Sequence, residues 1–161
     1  MVENFCAWLS ATSLSGRIQD AFWVIPTTQS IHILSIAVVM TSMAMLDLRL
    51  VGIAGRRQSL PAMASRFLPW VWTALVVLLC TGVILIIGEP GRELQSQVFW
   101  IKMSLLAVVI VLTAIFQVVL RRDAGFWDSH RGTAALLGIV SLLIWIGIVT
   151  AGRWIAYAGH S

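Results

Sequence analysis

The 161-residue chain is 59% hydrophobic and 11% charged, whereas a soluble domain is roughly half apolar and a quarter charged, so water alone is excluded as its working solvent. Its charges stand in short clusters, and the pI of about 10.0 therefore comes from loop arginines rather than from a basic face that would bind nucleic acid. Cys6 and Cys80 form no CxxC pair, and neither a disulfide nor a covalent c-type haem is expected.

In chain order, the first ten residues contain Glu3 and no lysine or arginine. A cleaved secretory leader begins with positive charge, so the N-terminus is expected to be retained. Residues 3 to 14, with Phe5, Trp8, Leu9 and Leu14 among polar neighbours, are expected as a short helix lying on the outer membrane surface. Four stretches then have the ~20 mostly apolar residues that cross a bilayer as helix, the form that satisfies the backbone in lipid. The first runs from about Ala21 to Val51, with Pro26 in its opening turn and Gly52 beyond its end. The second runs from Phe67 to Gly88, and the third from Val98 to Leu120 between Glu89-Pro90-Gly91 and Arg121-Arg122-Asp123. The fourth runs from Thr133 to Tyr157. The expected fold is all-α: an integral membrane four-helix bundle occupying residues 1–161 as a single transmembrane domain.

Arginine and lysine mark the cytoplasmic loops of a membrane protein. The first loop carries Arg49, Arg56, Arg57 and Arg66 and the third Arg121, Arg122 and Arg131, whereas in the second Arg92 is offset by Glu89 and Glu93. This distribution predicts that both chain ends lie outside, in a multi-pass protein of the bacterial inner membrane. Trp23, Trp100 and Trp154 then fall at the outer interface and Trp70, Trp72 and Trp127 at the inner one, as an aromatic belt would place them.

Ionisable groups inside a span are costly and point to function. His32 lies on a stripe with Thr28, Ser35, Val39 and Ser42, whose spacings of four and three share one helical face turned toward other helices. An inward imidazole either hydrogen-bonds a neighbouring helix or ligates a metal. The ligand reading is favoured, because a helical bundle can hold a flat porphyrin between its helices and present a neutral imidazole to haem iron. Lys102 enters the third span from the same side to a comparable depth, where it either snorkels to the headgroups or serves the site: unprotonated it can ligate the metal from the opposite face or, charged, pair with a cofactor carboxylate. Arg153 suits the carboxylate role as well. Asp47 and Arg49, closing the first span, read as solvated or paired end charges, and His130 and His160 fall outside the spans. Met40, Met43, Met45 and Met103 invite a Cu(I) reading, but packing accounts for them better. Gly138, Ser141 and Trp145 recur on one face of the fourth span with Ala134 a turn earlier, a small-residue path for close approach within the bundle or between protomers of a homo-oligomer.

The segment Ser30-Ile31-His32-Ile33-Leu34-Ser35, with Arg49-Leu50 closing the first span, and the segment Trp100-Ile101-Lys102-Met103-Ser104-Leu105-Leu106 leading to Arg121-Arg122, resemble the bacterial membrane-bound protoporphyrinogen oxidase family. They are also similar to four-helix membrane proteins of the copper-resistance D type. The resemblance follows all four spans in order and implies a b-type haem bound by a first-span histidine and a third-span lysine, which are His32 and Lys102 here. Relatives can carry another histidine in the third span; here Thr113 and Gln117 are its polar residues, and a bis-histidine site from two spans is not expected.

The resulting expectation is a haem b protein, one haem per chain in the outer half of the bundle, held by His32, Lys102 and Arg153 and serving electron transfer with a redox partner that the sequence does not specify. The alternatives are a porphyrin-oxidising enzyme of the protoporphyrinogen oxidase type, copper transport, and a cofactor-free structural subunit.

Overall fold

A chain this apolar buries its backbone polar groups by coiling, and helix dominates from end to end. The computed structural model describes residues 2–55 and 57–158, with side chains described up to position 152 except at Arg92. Its elements are α1 (Val2–Ser10), α2 (Ser13–Asp20), α3 (Val24–Val51), α4 (Leu60–Gly88), α5 (Pro90–Leu94), α6 (Gln97–Arg122), α7 (Phe126–Ser129) and α8 (Arg131–Ala158). The four long helices have the length and composition to cross a membrane. Even α6, with 26 residues, is about 39 Å long at ~1.5 Å per residue, beyond the ~30 Å of a hydrocarbon core. The chain is a multi-pass, all-helical membrane protein.

Each long helix runs antiparallel to the next, because the intervening segments are too short for a crossover. Close backbone packing joins α3 to α4, α3 to α8 and α6 to α8. The fourth side of the ring, between α4 and α6, is bridged by long side chains, with the indole Nε1 of Trp72 donating to Gln117 Oε1 at 2.9 Å. Replacing Trp72 by Phe should lower stability by about 0.5–1.5 kcal/mol, since Gln117 loses its donor at a partly buried site. Thermal unfolding in lipid nanodiscs measures this, and an unchanged midpoint would show that the α4–α6 side is closed by packing alone.

The helix ends show where composition misleads. The second span is expected from Phe67, yet α4 begins at Leu60, and Leu60, Met63 and Ala64 are buried. The polar-looking segment 60–66 is thus the opening of a helix, with Ser59 at its cap and proline in its first turn, where a missing N–H costs nothing. What covers it is the preceding loop. α3 ends in a left-handed Gly52 (φ 82), with Ile53 N–H bonding Leu48 O at 3.0 Å, which satisfies the last carbonyls and turns the chain. Gly55 (φ 71) then lets Met63 approach so closely that a Cβ there would stand 2.9 Å from its sulfur. The segment expected as one surface helix over residues 3 to 14 is instead two helices. Thr12 breaks it, its hydroxyl donating to Leu9 O at 2.6 Å and accepting from Ser15 N–H at 3.3 Å as the cap of α2. α1 packs on α5 and on the end of α4, and α2 on α4 and α3, with Cys6 and Ser15 buried and Phe5, Trp8 and Leu14 exposed. Cys6 donates to Pro90 O.

Of the six belt tryptophans, Trp23, Trp100 and Trp70 are exposed on the outside of the bundle. Trp72 turns to Gln117, and Trp127, expected at the inner interface, is buried, because α7 folds it under the bundle against Phe116 and Phe126. The side chain of Trp154 lies outside the described residues.

Candidate functional site

The stripe expected on the first span faces inward: Thr28, Ser35, Val39 and Ser42 are all buried along α3. His32, on the same stripe, is half-buried and reaches α4, its Nδ1 2.7 Å from Thr81 Oγ1. Thr81 has one hydroxyl proton, and the carbonyl of Val77, one turn back on its own helix, lies 2.7 Å away. With that proton committed to Val77, Thr81 offers His32 a lone pair, and Nδ1 carries the hydrogen. This assigns the neutral Nδ1–H tautomer and leaves the Nε2 lone pair free; Nε2 has no hydrogen-bond partner among the described residues. Gly82 adjoins the ring, and a Cβ there would lie 3.8 Å from His32 Cε1, so α4 leaves the imidazole uncrowded on that side.

Lys102 is half-buried near the start of α6, within electrostatic reach of His32 and of Glu93. The helix carrying it packs closely on α8. The structure therefore brings His32 and Lys102 to the same end of the bundle, the end opposite Arg49, Arg121, Arg122 and Arg131. The Arg153 side chain and His160 lie outside the described residues. His130 stays apart: it is exposed after α7 and stacks on Phe126 with ring centroids 4.4 Å apart.

The sequence reading missed Thr81, although it falls seven residues after Ala74 and seven before Gly88, all three buried on α4. A hydroxyl in that heptad stripe is the available signal. The reading of Asp47 needs correction. Arg49 is a paired end charge, 3.4 Å from Asp128, but Asp47 is only 2% exposed and accepts a 2.8 Å hydrogen bond from Ser141 Oγ. One residue from the Leu46 register, it is carried to the α8 side by the helix rotation rather than to the water at the helix end. The small-residue path on α8 also turns inward: a Cβ on Gly138 would stand 2.7 Å from the Asp47 carbonyl oxygen, so this path serves the α3–α8 contact inside the chain. Met43 belongs to the core, and Met40 and Met45 pack against it.

No curated protein and no solved structure matches the chain. A family model covers nearly its whole length, from before the second turn of α1 to the end of α8, and the protein belongs to that family, a family of unknown function (DUF6644), over residues 5–158.

Proposed function

We propose that the protein is a b-type haem protein of the bacterial inner membrane, with His32 as an axial ligand and an electron-transfer role. The observation that carries this reading is the His32–Thr81 hydrogen bond. A histidine that donates through one ring nitrogen to a fixed acceptor has its tautomer and plane set, and its other nitrogen is poised as a ligand. The donor set fits the group: a neutral imidazole on α3, a glycine beside it on α4, and a lysine on α6 within electrostatic reach. Lys102 would serve as the opposite ligand or as the partner of a propionate, and Arg153 as a second propionate partner. Bound haem supplies one-electron chemistry through its iron, while the protein holds the imidazole, sets its orientation and keeps water from the apolar surroundings.

The orientation within this reading follows the arginines. Arg49, Arg121, Arg122 and Arg131 stand at the ends of α3 and α6 and the start of α8, the signature of a cytoplasmic side. The haem then lies in the outer half, toward α1, α2 and α5.

The test is the absorption spectrum of protein extracted from membranes without added haem, recorded before and after dithionite. A Soret band with sharpened visible bands on reduction is expected, in a ratio of about one haem per chain. A colourless, iron-free preparation would overturn the proposal and leave the His32–Thr81 bond as a tie between helices.

A further inference from the structure

At the opposite end of the bundle a carboxyl group is buried with no counter-charge among the described residues. Asp47 on α3, Thr113 on α6 and Ser141 on α8 are all buried and line one cavity with Met43, Leu46 and Phe116. No charged group acts on Asp47 among the described residues. On its own helix, Arg49 is turned to Asp128 and to the Gln58 carbonyl, and on α4 Arg66 lies over the Phe67 ring. The groups facing the carboxyl from α6 and α8 are hydroxyls.

The hydrogen-bond inventory then decides the state of the group. Ser141 donates to Oδ2 at 2.8 Å. Thr113 spends its proton on the Val109 carbonyl, 2.8 Å away on α6, so toward the cavity it offers lone pairs only. An ionised carboxylate would meet a single side-chain donor, Ser141, among the described residues, in a place that water hardly reaches, which is an uncompensated buried charge. A protonated carboxyl removes that charge and keeps the hydrogen bond from Ser141. A metal cation is a poor substitute, because the cavity, about 10 Å³, has room for at most one water, and sodium takes several oxygens.

We propose that Asp47, with Ser141 and Thr113 lining its cavity, forms an intramembrane proton-binding site, in which Asp47 carries the proton in the folded bundle and donates it in a hydrogen bond to one water held between the carboxyl and Thr113. The site is close to the surface at the arginine-bearing end, since α3 ends at Val51, about one turn beyond Asp47. Exchange breaks the carboxyl O–H bond and passes the proton to water as hydronium, leaving a carboxylate that, among the described residues, Ser141 alone stabilises. It is independent of the haem reading, from which it is separated by most of the length of α3.

The test is infrared spectroscopy of the full-length protein in lipid nanodiscs at neutral pH. Wild type is expected to show the carbonyl stretch of a protonated carboxyl that is absent from Asp47→Asn and moves to lower frequency in D₂O. Ser141→Ala should keep that band and shift it, because one hydrogen bond to the carboxyl is lost. Asp47→Asn, the neutral isostere, should unfold at the wild-type temperature. The proposal is overturned if wild type and Asp47→Asn have identical carbonyl regions, if Ser141→Ala leaves the band in place, or if sodium but not choline stabilises wild type.

Discussion

Substituting His32 by Ala should yield a protein that inserts and folds in the membrane but lacks the Soret band. The imidazole meets α4 through a single bond to Thr81 and is only half-buried, so its removal withdraws the ligand without opening the core. Thr81→Val separates ligation from orientation. It keeps the side-chain volume and removes the acceptor for Nδ1–H, and loss of such an outer partner costs about 10–100-fold in metal affinity. Titration of haem into depleted protein should therefore show no saturable binding for His32→Ala and a 10–100-fold weaker midpoint for Thr81→Val. Full-strength colour in His32→Ala would sink the assignment of the ligand, and wild-type affinity in Thr81→Val would sink the role given to the hydrogen bond.

Gly138→Leu is expected to disrupt the bundle as a whole. Lipid tails are as apolar as the core, so association of helices in a membrane depends on close packing. At Gly138 that packing is at its limit: an added Cβ would stand 2.7 Å from the Asp47 backbone oxygen and 3.1 Å from both Leu50 and Val51 side chains. A backbone atom cannot swing aside as a flexible side chain can. Even Gly138→Ala should cost about 1–3 kcal/mol, the usual range for overpacking, and leucine should separate α8 from α3 and open the Asp47 cavity. Gly132, whose Cβ would meet nothing within 4 Å on the same helix, is the control, and its alanine variant should behave as wild type. Unfolding midpoints and elution profiles in detergent measure both. Equal behaviour of the two alanine variants would refute the close contact at Gly138.

The stripe of Thr28, Ser35, Val39 and Ser42 was legible because polar residues at helical spacing within a span have one favourable direction, inward, whatever the neighbouring helices are. Segment 60–66 was not legible as helix, since its arginine, serine and proline read as a loop and only the contact of Met63 with Gly55 shows that its apolar residues have something to cover. Trp127 misled for a related reason. An indole near a span end suits a lipid interface, but α7 turns it onto Phe116.

Sequence alone determined that the chain lives in a bilayer, that four helices cross it, that arginines gather at one end, and which face of α3 turns inward. The bilayer imposes these, through span length, backbone satisfaction and the cost of polar groups in lipid. Tertiary structure alone decided which hydroxyl fixes His32, that Asp47 is enclosed rather than solvated, and that the small-residue path of α8 closes on α3. Each depends on which surfaces of separate helices meet, and where the outside of a bundle is as apolar as its inside, one helix's periodicity cannot name its partner.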